Sequence, residues 1–190
     1  MNAMKLTRSF FITNLMMSIA GLALAADAPE TIKITSSAFD HHGTIPMTNT
    51  SYGDNLSIDL SWSNLPAGTV ELALICDDPV VAMSQPFVHW VVYNIPASAP
   101  GLPEGMSSDA SPALPGLAGL TNGVSGVGSP GYFGPRPPLD SLLHAYHYRV
   151  YALDAGLDLA EGLNKSQLLE AMEGHVIATG MLMGHYQRIE

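Results

Sequence analysis

The chain is poor in cysteine and in basic residues, and it carries none of the short motifs that usually mark a catalytic nucleophile. Cys76 is its only cysteine. No intrachain disulfide can form, so the fold must rest on a packed core. Lysine and arginine total 7 against 17 aspartates and glutamates, a formal net charge of −10. A field of that sign repels nucleic acid and anionic membrane surfaces at long range, which excludes both as general partners. It does not exclude one local anion site. Gly-x-Ser-x-Gly, Ser-x-x-Lys, His-Glu-x-x-His and the phosphate-cradling Gly-x4-Gly-Lys are all missing, which removes the common hydrolase and nucleotide-binding signatures.

Long apolar runs are also scarce. The one that exists is N-terminal: Lys5 and Arg8 precede fifteen largely apolar residues from Phe10 to Leu24, and Ala23-Leu24-Ala25 supplies a small-x-small cleavage site. This is the pattern of a secretory signal peptide, and its apolar part is short for a spanning helix. We therefore expect a signal peptide over 1–25 and a single domain over 26–190. Processing would leave 5 basic against 17 acidic side chains. No later segment is apolar for long enough to span a bilayer, so no stable membrane span is expected after processing. The implied location is secreted, in the periplasm.

The remaining chain reads as short strands. Ile32 and Ile34 alternate with polar residues, and Leu56, Ile58, Leu60 and Trp62 repeat with period two over 55–62. Val70 to Cys76 is an almost wholly apolar run, as expected of a strand buried on both faces. Phe87 to Ile95 is a second such run, ended by Pro96, and Tyr146 to Leu153 alternates again. Cys76 is expected to serve as a small buried hydrophobe. One helix is signalled: Asn164 as cap, Gln167 three residues on as in a capping box, Leu168, Leu169 and Met172 as its apolar stripe, and Gly174 as its stop. Strand character returns over 175–188. Between these elements, the 41 residues from Ser98 to Pro138 hold 9 glycines and 8 prolines. Such a segment suits neither a helix nor a central strand, and a loop of this length is usually functional. We expect it to lie over the mouth of a pocket. Many short strands with Gly/Pro turns and no βαβ alternation predict a mainly β fold, an antiparallel β-sandwich with a few short peripheral helices.

Two segments carry the chemistry. Asp77-Asp78-Pro79 leads to Phe87-Val88-His89-Trp90, and Gly134-Pro135-Arg136-Pro137-Pro138 leads to His144-Ala145-Tyr146. Each residue taken singly has a structural explanation. His89 before Trp90 can be a core histidine, Asp78 before Pro79 can make a turn, Tyr146 can be core, and the Gly/Pro run can be a stiff connector.

Together these segments resemble the phosphatidylethanolamine-binding protein family, particularly its bacterial Raf-kinase-inhibitor-like branch. That family shows Asp-Pro-Asp-Ala-Pro before His-Trp-Val-Val-x-Asn; here the residues are Asp78-Pro79-Val80-Val81-Ala82 and His89-Trp90-Val91-Val92-Tyr93-Asn94. Its Gly-Pro-x-Pro-Pro and His-x-Tyr motifs match Gly134 to Pro138 and His144 to Tyr146, and Gly174 to Tyr186 is similar to its C-terminal strand. The likeness runs from about Ile32 to Arg188. Motifs in order over such a span are far more specific than any one of them. The chain departs from the pattern at Val80 (usually aspartate), Ala82 (proline), Ile58 (proline) and His185 (a small polar residue). Val80 removes an acceptor that could hold a ligand amine.

The resemblance implies a pocket lined by Asp78, His89, His144 and Tyr146, with Gly134 offering its backbone. Two imidazoles and a phenol could supply three donors to a phosphate or carboxylate. Asp78, an acceptor as carboxylate, would orient one imidazole and raise its pKa, or share a proton with a phosphate oxygen. The resemblance implies no metal and no cofactor, and the adjacent His41-His42 pair reads as solvated. The leading expectation is a non-enzymatic binding protein for a small anionic or phosphorylated head group. The rivals are a module that docks on a protein partner such as a kinase or peptidase, through the 98–138 loop, and an enzyme using His89 or His144 as general base. A second copy of the chain, in a homodimer, is a further candidate partner.

Overall fold

Alternation along the strands dictates two sheets with a core between them. The computed structural model describes residues 29, 31–81, 83–140 and 142–189, so the expected signal peptide lies outside the described residues. Among the described residues nine strands form: β1 (Lys33–Thr35), β2 (Gly43–Thr44), β3 (Leu60–Ser63), β4 (Glu71–Asp78), β5 (Phe87–Pro96), β6 (Gly101–Leu102), β7 (Thr121–Asn122), β8 (His144–Leu153) and β9 (Val176–Tyr186). The larger sheet has the order β2-β9-β8-β4-β5-β7 and the smaller β1-β3-β6. All pairings are antiparallel except β2 with β9, which run parallel.

β4 is central and buried on both faces. Its inward side chains, Leu72, Leu74 and Cys76, join Trp62, Trp90, Tyr146, Tyr148 and Val150 in the core between the sheets. Its outward ones, Ala73 and Ile75, join Val91, Tyr93, Leu168 and Met172 under the single α-helix found among the described residues, α1 (Lys165–Ala171). Cys76 is fully buried there and the apolar surroundings push its thiol pKa up, so it behaves as a small hydrophobe. α1 starts as its sequence demands: Asn164 accepts from the Gln167 amide while the Gln167 side chain accepts from the Asn164 amide. Gly174, at φ 81°, turns the chain out into β9.

Three boundaries differ from the sequence pattern. The run over 55–62 becomes a strand only at Leu60. Asn55 takes a positive φ of 57° and the Leu56 amide donates to the Thr48 carbonyl, so this stretch pairs with a turn and Leu56 is exposed. Of the few short peripheral helices expected, the described residues form one α-helix and a 3₁₀ turn at Met47–Asn49. Within the Gly/Pro-rich segment, β6 and β7 form two-residue edge strands, a place where proline-flanked chain is tolerated.

Candidate functional site

Three neighbouring strands, β5, β4 and β8, end together at one edge of the larger sheet. β4 finishes at Asp78, which sits opposite Phe87 at the start of β5. β8 begins at His144, with Tyr146 two residues on and therefore on the same inward face. His89 lies two residues beyond Phe87 on β5. These placements bring Asp78, His89, His144 and Tyr146 to one cavity of about 260 Å³, closed by Val81, Phe87, Val127, Phe133, Arg136, Pro137 and Pro138.

Asp78 is the anchor. Its Oδ2 lies 2.6 Å from His144 Nδ1, with both side chains nearly sealed from solvent, and its Oδ1 accepts from the Val80 amide at 2.7 Å. The imidazole it orients is thus that of His144. From outside, Asp140 Oδ2 stands 3.4 Å from His144 Nε2. The Leu142 amide, chiefly, holds the Asp140 carboxyl below its ordinary range.

His89 is held differently. Its Nδ1 lies 2.6 Å from the Phe133 carbonyl oxygen, and the Phe133 amide returns a bond to the His89 carbonyl at 2.9 Å. A carbonyl only accepts, so Nδ1 carries the proton. Nε2 is then the ring's remaining nitrogen. The only sealed side-chain atom without a partner among the described residues is Glu71 Oε1, so the unpartnered Nε2 opens onto the cavity. Burial lowers the His89 pKa, against the Phe133 carbonyl and the Asp78 charge, which pull it upward. In its neutral form the ring presents a lone pair at Nε2; in its protonated form it donates from both nitrogens.

Tyr146 packs edge-on to His89, ring centroids 5.0 Å apart. Tyr146 is fully buried and lines the cavity. Desolvation raises its pKa far above any physiological range, so it is a permanent donor. Phe133 stacks on His89 at 5.9 Å and Phe87 tilts against both.

Gly134 stands apart from this set. Its amide donates to Asn55 Oδ1 at 2.8 Å and its carbonyl accepts from Ser51 Oγ at 3.0 Å, and it is not among the residues lining the cavity. A Cβ at Gly134 would sit 2.6 Å from the Asn49 carbonyl oxygen; its role is close approach of two backbones. Of the described residues in the 98–138 segment, only Val127, Phe133, Arg136, Pro137 and Pro138 border the cavity.

Sequence reasoning missed Phe87, Phe133 and Arg136 as wall residues. Phe87 was legible, since period two puts it on the His89 face. Arg136 was legible as the one basic residue in its segment; it is exposed and has no ion pair among the described residues. Phe133 had no local signal, because a fold-back of the loop brings it against β5. Among the described residues no serine, cysteine or lysine lines the cavity, and no three His, Cys, Asp or Glu side chains are grouped to hold a metal ion. His41 and His42 are exposed, with rings 4.1 Å apart.

The family model described as phosphatidylethanolamine-binding protein matches residues 35–187. This chain belongs to the phosphatidylethanolamine-binding protein family. A relative from Methanothermobacter thermautotrophicus, named UPF0098 protein, is 45% identical over 157 residues, covering 83% of this chain and 99% of the relative. A relative from Mycobacterium tuberculosis, carrying the name lipoprotein LppC, is 34% identical over 163 residues, with 85% and 75% covered. Among solved structures, a phosphatidylethanolamine-binding protein homologue from Chlamydia trachomatis superposes with a TM-score of 0.74 at 36% identity, covering 84% of this chain and 99% of that one. The two-sheet fold is that of the phosphatidylethanolamine-binding protein family.

Proposed function

We propose that this protein is a secreted, periplasmic binding protein that holds a small anionic or phosphorylated head group without transforming it. The observation that carries the reading is one cavity lined by Tyr146, His89 and the Asp78–His144 pair together with the exposed Arg136. Arg136 supplies the positive charge that an otherwise acidic protein withholds, and its planar fork suits phosphate or carboxylate oxygens. Phe87, Phe133, Val81 and Val127 make the remaining walls apolar, so donors there act in a partly dry environment. The extracytoplasmic address is supported by the N-terminal pattern of Lys5, Arg8 and the Phe10 to Leu24 run, and by the name of the mycobacterial relative.

The test is calorimetric titration of the processed protein with phosphate, phosphoethanolamine and acetate. Saturable binding that weakens in His89→Ala and Arg136→Ala, with circular dichroism unchanged, is the expected result. An absence of heat and of thermal stabilisation with all three ligands would overturn the reading.

A further inference from the structure

The outer face of the larger sheet gathers a second group of chemically active side chains, on the opposite side from the cavity. Along β9, Leu182 and Tyr186 point into the core, so Met181, Met183 and His185 lie half-buried on the outer face. Along β8, Tyr146, Tyr148 and Val150 point inward, which puts His147 and Arg149 on that same outer face. His147 stands opposite Met183, and Arg149 opposite Met181. The Met183 carbonyl accepts from the His42 amide and the Met183 amide donates to His41 Nδ1, so both backbone groups turn away from β8. His147 and Met183 are therefore a non-hydrogen-bonded pair, the kind whose side chains come closest, with Cβ atoms about 5 Å apart. His185 follows about 7 Å along the strand on the same face, and across β8 it meets only the small side chain of Ala145.

The His185 ring is anchored on one edge. Its Nδ1 lies 3.1 Å from the His42 carbonyl oxygen, and since a carbonyl only accepts, Nδ1 carries a proton. The His42 ring stacks on it at 5.7 Å. A bond from one ring nitrogen to a backbone carbonyl is the device that orients an imidazole whose other nitrogen binds a metal. With Nδ1 turned toward the β2 side, Nε2 on the far edge of the ring points back across β9 toward β8. His147 lies on that side, within reach of the charges of Asp77, Arg149, Asp78 and His185. No hydrogen bond engages the His147 ring among the described residues. The two thioethers differ: Met181 Sδ accepts from Arg149 Nη2 at 3.4 Å, which leaves Met183 as the sulfur beside the imidazoles.

Two imidazole nitrogens and one thioether sulfur thus converge. Zinc and the hard cations want further nitrogen, thiolate or oxygen ligands, and no three His, Cys, Asp or Glu side chains are grouped to supply them among the described residues. A thioether favours soft Cu(I). We propose that His147, Met183 and His185 form a binding site for Cu(I) on the outer face of β8 and β9. The ion accepts lone pairs from the three ligands and no electron is transferred; a proton on His185 Nε2, where present, leaves to solvent. Asp77, opposite His147 on β4 and ion-paired with Lys165, places a carboxylate beside the site. The formal net charge of −10 favours accumulation of a cation near the surface. His185 is one of the positions at which this chain departs from the family pattern, so that pattern does not imply the site.

The experiment is an anaerobic competition titration in which Cu(I) is supplied as its coloured bicinchoninate complex. The protein should withdraw one Cu(I) per chain. His147→Gln, Met183→Leu and His185→Ser should each weaken binding by at least about tenfold, the loss expected when the ligand set of a metal site is disturbed. Met181→Leu should leave the affinity unchanged, and excess Zn(II) should not displace the copper. A second measurement needs no altered ligand: Ag(I), a soft ion of the same charge, is added to protein isotopically labelled at its methionine methyl groups. The Met183 methyl resonance should move while that of Met181 stays in place. Failure to withdraw Cu(I) from the chelator, or a Met183 resonance that Ag(I) does not move, would overturn the site. Affinity lost in Met181→Leu and retained in Met183→Leu would overturn the assignment of the sulfur ligand, and displacement by Zn(II) would overturn the preference for a soft ion.

Discussion

The Tyr52 hydroxyl donates to the Pro137 carbonyl at 2.6 Å, joining the turn after β2 to the wall of the cavity. The Arg188 guanidinium lies 4.9 Å from the centre of the Tyr52 ring and Tyr186 stacks on it at 6.4 Å, so the end of β9 holds the tyrosine in place. Neighbouring bonds act in parallel: Ser51 donates to the carbonyls of Gly134 and Pro135, and Asn55 accepts from the Gly134 amide. The strip from Phe133 to Pro138 is thus clamped to the turn around Tyr52 before any ligand arrives. Tyr52→Phe should cost about 1 kcal/mol in urea denaturation, the net worth of one hydrogen bond. It should also weaken phosphate binding a few-fold, because Pro137 and Arg136 lose their fixed position.

Asp140 faces the mouth and puts a carboxylate 3.4 Å from His144 Nε2. It would compete with the anion proposed above for that nitrogen and repel it. Asp140→Asn should therefore tighten phosphate binding by about two- to fivefold, a modest gain because the group is exposed and screened. Titration at low and high salt would check this, with the gain shrinking as ionic strength rises.

Breaking the Asp78–His144 pair has a different signature. Both partners are buried, at 2% exposure each, so removal of one leaves the other without its partner in a poorly solvated site. Asp78→Ala should destabilise the fold by about 3 kcal/mol, read from the denaturation midpoint at an unchanged slope.

Acid and base act on stability through separate groups. Burial, foremost, lowers the pKa values of His89 and His147 from 6.5. As the pH falls below 6.5, the unfolded chain takes up protons that the folded chain still refuses, so stability is present above that pH and declines below it. Glu71 has the opposite sense. It is buried with Oε1 unpartnered, and desolvation raises its pKa above the ordinary 4.5. Its contribution is full below 4.5 and is lost as the pH rises through the folded value. Melting temperatures from acid to neutral pH should show a flatter loss below 6.5 in His89→Gln. In Glu71→Gln the loss on rising from 4.5 should disappear.

The sequence displayed most of the sheet framework because burial leaves a two-residue imprint. Tyr146, Tyr148, Val150 and Ala152 alternate along β8 and all four are fully buried. The capping box of α1 was equally plain, being a local interaction of Asn164 with Gln167. What stayed hidden depends on contacts between distant segments. Nothing near Leu56 announces that Thr48 will take its amide, and nothing near Phe133 announces His89. Motif spacing brought Asp78, His89, His144 and Tyr146 to notice, but which imidazole would pair with Asp78 depended on strand order. β8 lies next to β4, and that adjacency delivers His144.

The deep burial of Cys76 makes the molecule chemically silent toward mild thiol reagents. A cysteine introduced at exposed Leu139, one residue beyond the Pro138 wall, would be its single reactive handle. A polarity-sensitive dye attached there would sit beside the mouth and convert occupancy into fluorescence. On the proposed reading the protein would be a frame for an anion reporter, in which each of the ligands named above could be titrated at concentrations far below those calorimetry needs.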